Sequence, residues 1–154
     1  MDGYHYYRSE LDAFPDAREA HRRRGAPFTF NAKRLVKDLQ TISLGSEDVF
    51  IPSFNHEDKD PVEDAIVVKA SDRIVIVEGL YLLYNEEPWD QLRDLFAASL
   101  YLSTPLEVAL ERCALRNSKA LGISLEAAQD RVQVNDKVNA LLVEGTRTRA
   151  THQL

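Results

Sequence analysis

The apolar positions of this chain alternate between strand-like and helix-like stretches. The strongest strand signal is Arg73-Ile74-Val75-Ile76-Val77-Glu78: four consecutive β-branched residues with no polar alternation, as in a strand covered on both faces. Asp48 to Ile51, Ala65 to Val68 and Ser99 to Leu102 are shorter strand candidates, the second at a sheet edge. Helical periodicity fills the gaps. A short helix begins near Asp16, which has capping-box spacing to Glu19; Arg22 to Arg24 fall in its last turn and Gly25 stops it. A second helix runs from about Asn31 to Thr41, with Leu35, Val36 and Leu39 on one face. A third opens with Thr104-Pro105-Leu106-Glu107, which predicts Thr104 as cap, Pro105 at the first helical position and Glu107 closing a capping box; Gly122 ends it. Ser124 caps a last helix from about Leu125 to Val143. The alternation predicts an α/β layered fold with a mainly parallel sheet, in a single domain over residues 1–154.

Composition narrows the class. A chain of 154 residues with 44% apolar and 29% charged side chains can bury one sizeable core. A formal charge of −6 argues against a general nucleic-acid surface. No stretch reaches the length of a membrane span, and no basic segment followed by an apolar one marks a secretory signal, so the expected compartment is the cytoplasm. Cys113 is the single cysteine and falls on the apolar stripe of the third helix, which reads as a small core residue. His21 and His152 lack metal-ligand spacing.

Five places could carry chemistry. Asp2 is followed by Gly3, which permits a turn, and by Tyr4-His5-Tyr6-Tyr7. A carboxylate beside aromatic and imidazole groups can grip a hydroxylated molecule and accept its proton; otherwise it is a frayed end. Glu78 closes the most apolar strand, where ligands of open α/β sheets collect and a magnesium-bound water could be held; otherwise it caps the next turn. The segment from Pro52 to Pro61 is too polar and proline-bounded for core. It reads as a solvated loop or as a substrate-facing one, with His56 as a hydrogen-bonding group. Arg112, Arg116 and Lys119, at i, i+4 and i+7, form either a solvated face or a lid whose arginines neutralise a transferring phosphoryl group. Arg22-Arg23-Arg24 could bind phosphate or simply complement a helix dipole.

Asp2-Gly3-Tyr4-His5, Pro52-Ser53-Phe54-Asn55-His56, Val77-Glu78-Gly79 and the Arg112/Arg116 helix occur in an order that resembles the uridine kinase, phosphoribulokinase and bacterial-type pantothenate kinase group of P-loop kinases. The stretch Arg23 to Phe30 resembles a branch containing nucleoside or fructose-transport kinases. The resemblance reaches about residue 150 and implies the three-layer α/β fold of P-loop NTPases. It implies that Asp2 is the catalytic base and that Tyr4, His5, Tyr6, Arg24, Phe54, His56 and Lys59 line the acceptor pocket. Glu78 would assist magnesium, and Arg112 and Arg116 would belong to a lid over the ATP phosphates, in a lid and C-terminal helical region over 105–147. The implied reaction is ATP γ-phosphoryl transfer to an alcohol on a nucleoside, sugar or vitamin.

Two departures qualify that expectation. Asn55 stands where that branch often has Asp, and no Gly-x-x-x-x-Gly-Lys-Ser/Thr sequence occurs in the 154 residues. The family's first strand and P-loop are expected before Asp2, where only Met1 stands. The expectation is therefore an N-terminally truncated kinase domain, poorly stable alone or with a rearranged sheet, with ATP and Mg2+ belonging to the intact family member and negligible ATP turnover by this chain. The alternative is a non-catalytic small-molecule-binding or regulatory module. An exposed sheet edge would encourage a homodimer.

Overall fold

Asp16 caps helix α2 (Ala17–Arg22) as its spacing predicts: its carboxylate accepts the Glu19 N–H at 2.9 Å in the computed structural model, which describes residues 1–154. Glu19 does not complete the box. Its carboxylate takes two hydrogen bonds at 2.6 Å from Arg22 instead. The chain divides into two compact units, Met1–Ala97 and Ala98–Leu154.

In the first unit, a short helix α1 (Arg8–Leu11) precedes α2, and α3 (Ala32–Leu44) is its longest element. Asn31 caps α3 by accepting the Arg34 N–H at 3.1 Å, and the helix continues to Gly45, whose φ of 61° gives a left-handed end. Ala32, Leu35, Val36 and Leu39 form the buried stripe. The 3-10 turn Trp89–Leu95 packs on α3 and contributes Trp89 and the fully buried Leu92. Phe30, Tyr81 and Trp89 interlock edge to face at 5.5–6.0 Å between ring centres, and the Tyr81 hydroxyl donates to the Gly25 carbonyl at 2.6 Å.

Strands β1 (Val49–Asn55) and β2 (Asp60–Val68) form an antiparallel hairpin. Its register runs Val49–Val68 to Ile51–Ile66, then resumes at Ser53–Val62. Three residues of β2, Glu63 to Ala65, thus bulge opposite Pro52 alone. Proline has no N–H to give the ladder, which is why pairing breaks there. Asp64 carries the bend at φ 52°.

The sequence predicts a buried strand at Arg73–Glu78, and this is corrected: the run pairs with no other segment, and Ile74 and Ile76 are 82% and 89% exposed. β-branched residues favour the pleat, but a strand is defined by a neighbour's backbone, and no segment of the chain forms a ladder with this run.

In the second unit, β3 (Leu100–Tyr101) and β4 (His152–Gln153) pair in parallel, so the ladders are one antiparallel and one parallel. Helix α4 (Leu106–Leu121) has Pro105, not Thr104, at its cap, and no capping box. The Thr104 N–H is already committed to the Leu102 carbonyl at 2.9 Å, and the first helical bond runs from Ala109 to Pro105. Gly122, at φ 64°, ends the helix as expected. Ser124 caps α5 (Leu125–Arg131), which passes through a π-helical turn (Val132–Asp136) into α6 (Lys137–Glu144). The predicted single helix is therefore continuous but carries one wide turn, which Asn117 of α4 joins through the Asp136 carboxylate at 3.1 Å. Tyr101 donates to Glu144 at 2.8 Å, and burial together with that carboxylate pushes its phenol up to about 12. Cys113 is half-buried and burial raises its thiol, the behaviour of a packed rather than a reactive cysteine. An open groove of about 480 Å³ runs along α4, floored by Leu106, Leu110, Ala114 and Val132. No helix of the chain is long and apolar enough to cross a membrane.

Candidate active site

The motif Asp2-Gly3-Tyr4-His5 forms a 3-10 turn over Asp2–Tyr4, closed by Tyr4 N–H to Met1 C=O at 3.0 Å and His5 N–H to Asp2 C=O at 3.1 Å. The Met1 nitrogen donates to the Glu78 carbonyl at 2.6 Å, and the Met1 side chain lies against Gly79. The two segments that the sequence singled out for carboxylate chemistry are therefore adjacent in the first unit.

Gly3 lies against the hairpin. A Cβ on it would stand 2.1 Å from the Pro52 carbonyl oxygen and 2.5 Å from its carbon, both backbone atoms. Gly3→Ala is accordingly expected to cost about 1–3 kcal/mol or more, because the hairpin must move to admit one methyl group. Thermal melts would show this as a lowered Tm; an unchanged Tm would mean that the turn and hairpin are not in contact.

Tyr4 is buried, and its hydroxyl donates to Asp38 Oδ2 on α3 at 3.0 Å. It anchors the turn and does not present its hydroxyl to a ligand. Burial, then the Asp38 charge and hydrogen bond, push the phenol well above its ordinary value, and burial raises the Asp38 carboxyl as well. Arg34 reaches Asp38 at 3.7 Å and grips Glu63 with two hydrogen bonds of 2.9 and 2.6 Å; Glu63 also accepts the Tyr7 hydroxyl at 2.9 Å.

The His5 ring lies 4.0 Å from Phe30 and 4.9 Å from Phe54 between centres. Its Nδ1 is 2.8 Å from the Asp2 carbonyl oxygen, which can only accept. The proton therefore sits on Nδ1, and Nε2 is left as an acceptor. Burial depresses the imidazole from its ordinary 6.5, so it is neutral at physiological pH. A histidine depressed on folding binds its proton more weakly in the folded chain, so its stabilising effect is complete above 6.5 and is lost as pH falls towards the folded-state value. Urea midpoints from about pH 7.5 to 5.5 should fall more steeply for the native chain than for His5→Gln, and parallel curves would contradict the assignment.

Arg24 ties the hairpin to the segment after the turn. Its guanidinium donates to the Lys59 carbonyl, to the Tyr6 carbonyl at 2.9 Å and to Asp60 at 2.9 Å, and it sits 5.8 Å from the Phe54 ring centre. Asp60 also accepts the Arg8 N–H at 2.9 Å and its Nε at 3.2 Å. Burial pushes the Asp60 carboxyl up, but these donors outweigh it and hold the group below its usual range. Arg24 is thus held between the hairpin and the Tyr6 backbone. Tyr6 packs its ring edge-on against Phe14 at 5.3 Å. His56 is exposed, 5.2 Å from Phe54, and Lys59 is exposed at a left-handed φ of 59°. Asn55 shapes the hairpin loop: its Oδ1 accepts the Glu57 N–H at 2.8 Å and its amide donates to Asp58 at 2.6 Å.

The structure therefore brings Asp2, Tyr4, His5, Tyr6, Arg24, Phe54, His56, Lys59 and the Glu78 backbone into the first unit around one turn and one hairpin. Arg112 and Arg116 lie on the exposed side of α4 in the second unit; Arg112 makes no ion pair, and Arg116 meets only Cys113 Sγ at 3.4 Å. Four contributors escaped sequence reasoning: Phe30, Arg34, Asp38 and Glu63. The i, i+4 spacing of Arg34 and Asp38 was the available signal. No three His, Cys, Asp or Glu side chains converge to cage a metal. Glu78 is a single exposed carboxylate, a donor set that fits magnesium held mainly by water and phosphate oxygens.

Comparison with known proteins gives a consistent answer. The sequence profile described as Phosphoribulokinase / Uridine kinase family matches residues 9–143. The chain is 39% identical over 145 residues to the ATP-dependent kinase-like protein notR' of Aspergillus versicolor, covering 91% of this chain and 84% of that one. It is 36% identical over 173 residues to the ATP-dependent kinase YFH7 of Zygosaccharomyces rouxii, covering 93% of this chain but 46% of the relative. Among solved structures it superimposes on a candidate fructose transport system kinase from Silicibacter sp. TM1040 with a TM-score of 0.85 and 29% identity, over 100% of this chain and 72% of that one. It also matches YFH7 from Saccharomyces cerevisiae, described as a candidate P-loop kinase with a circular permutation, with a TM-score of 0.82 and 30% identity over 95% and 53% of the two chains. The fold is that of the α/β P-loop kinases, and the relationship supports ATP-dependent phosphoryl transfer in general terms. The chain belongs to the phosphoribulokinase/uridine kinase family.

Proposed function

We propose that these residues form the acceptor-binding and base side of an ATP-dependent phosphotransferase acting on a hydroxyl of a small metabolite: a nucleoside, a sugar or a vitamin. One observation carries the reading. Every residue of the Asp-Gly-Tyr-His turn is held by a neighbour except the Asp2 carboxylate, which is left exposed.

The acceptor lies against the rings of His5, Phe54 and His56, with His5 Nε2 accepting one of its N–H or O–H groups. Asp2 takes the proton from the attacking hydroxyl as its oxygen bonds to the γ-phosphorus and the bond to the bridging oxygen breaks, which leaves ADP. The second unit carries Arg112 and Arg116 on the exposed side of α4 without ion-pair partners, which suits the lid arginines that the family resemblance implies. Magnesium, when bound with the nucleotide, neutralises phosphate charge, and Glu78 would hold one of its waters.

A second reading is a non-catalytic small-molecule-binding module, in which the same turn and hairpin hold a ligand against His5 and Phe54 without phosphoryl transfer. Titrations of the chain with uridine, fructose, pantothenate and ATP, followed through the ring resonances of His5 and Phe54, test both. An alcohol acceptor is expected to move those resonances. If none of the three alcohols does so, the acceptor-site reading fails. An ATP dissociation constant in the low micromolar range would overturn the expectation of negligible nucleotide use.

A further inference from the structure

We infer that Asp38 is a positioning residue for Asp2, acting through Tyr4; this rests on the proposed role of Asp2. The Asp2–Tyr4 turn is three residues long and is closed by only two backbone hydrogen bonds. Such a turn does not hold a carboxylate in one orientation unless its side chains are tied down. Gly3 offers no side chain, so Tyr4 is the turn's only side-chain anchor in α3, and its hydroxyl ends on Asp38 at 3.0 Å.

Asp38 is itself held from behind. Arg34, one helical turn earlier, lies 3.7 Å from it and binds Glu63 through two further hydrogen bonds. Glu63 belongs to the β2 bulge opposite Pro52, the same proline whose carbonyl abuts Gly3. Glu63 also accepts the Tyr7 hydroxyl, so tyrosines on both sides of His5 end on carboxylates that share one guanidinium. The network thus joins α3, the hairpin bulge and both flanks of the turn, and the exposed Asp2 carboxylate is the group whose direction it sets. Burial of Asp38 is a cost that an apolar partner for the Tyr4 ring would avoid, which favours a role in orientation over one in bulk stability.

The test uses the 154-residue chain with Tyr4→Phe, Asp38→Ala and Asp38→Asn, the last retaining a carbonyl oxygen for the Tyr4 hydroxyl. Amide hydrogen exchange of Tyr4 and His5 is expected to quicken about tenfold or more in Tyr4→Phe and Asp38→Ala and less in Asp38→Asn, with Leu35 and Leu39 of α3 unchanged. Exchange at Tyr4 and His5 that stays native-like, or that quickens equally at Leu35 and Leu39, overturns the positioning role. Affinity for whichever of uridine, fructose or pantothenate binds adds a double-mutant cycle between residues 2 and 38, which do not touch through their side chains. Asp38→Ala is expected to lose about 3–10-fold in affinity in the native background and nearly nothing in Asp2→Asn. Additive losses contradict positioning while leaving the Asp2 reading intact, whereas an Asp2→Asn change that alters neither acceptor affinity nor turnover removes that reading itself.

Discussion

Asp2→Asn is expected to leave the Tm of the chain within experimental error and to weaken binding of the alcohol acceptor about 10–100-fold, the worth of one hydrogen bond to a charged group. The carboxylate contributes nothing visible to the fold: it is exposed, and the hydrogen bonds that close its turn come from backbone atoms. The substitution keeps size and shape but replaces an anion that can take a proton with an amide that cannot. In any form of the protein that turns over ATP, the same change is expected to lower turnover about 10²–10⁴-fold, the usual share of a general base. The two measurements separate the candidate roles. A binding module would lose affinity with no turnover to lose, whereas a base would lose far more rate than affinity. Isothermal titration against the acceptor and an acceptor-dependent ADP-release assay read them. Unchanged values in both would remove Asp2 from the chemistry.

Trp89→Ala is expected to destabilise the first unit by about 3–5 kcal/mol, the range for deleting a buried large aromatic side chain. Trp89 is 3% exposed and stands against two other buried rings, Phe30 at 6.0 Å and Tyr81 at 5.5 Å. Those neighbours are themselves fixed, Tyr81 by its hydrogen bond to Gly25, so the space left would not simply collapse. A loss of that size is a large part of the roughly 5–15 kcal/mol that keeps a domain folded. It would also reach the candidate site, because Phe30 is the ring on which His5 rests. Urea unfolding followed by near-ultraviolet circular dichroism checks the prediction, with Trp89→Phe as a milder control. A loss below about 1 kcal/mol for Trp89→Ala would show that the aromatic cluster is not the centre of this unit.

Helices were the most legible part of the fold. Asp16, Gly122 and Ser124 act in the structure as they are marked in the sequence, and α3 opens at Asn31 as its periodicity predicts but runs past Thr41 to Leu44, where Gly45 ends it. Thr104 fails because helix starts compete with turns: its N–H bonds to Leu102, and the cap moves one residue on. Strands were less legible, because a ladder depends on a second backbone. The register break at Pro52 follows from a missing donor, but the Glu63–Ala65 bulge opposite it does not show in the pattern of apolar residues. Arg73–Glu78 has the best strand composition in the chain and makes no ladder.

The candidate site divides in the same way. Asp2, His5, Phe54 and His56 belong to motifs whose residue types announce hydroxyl and ring chemistry. Tyr4 and Arg24 belong to the same stretches, yet their polar groups face inward, to Asp38 and to Asp60 with two backbone carbonyls. Asp38 and Glu63 were hidden because each depends on a partner about 30 residues away, Tyr4 and Arg34 respectively.

The most direct test is a crystal structure of the chain with a bound alcohol acceptor. The reacting hydroxyl is expected about 2.6–3.2 Å from an Asp2 carboxylate oxygen, the reach required of a general base, with the acceptor against His5 and Phe54. An acceptor seated instead in the groove along α4, on Leu106, Leu110 and Val132, with Asp2 left in solvent, would contradict the account.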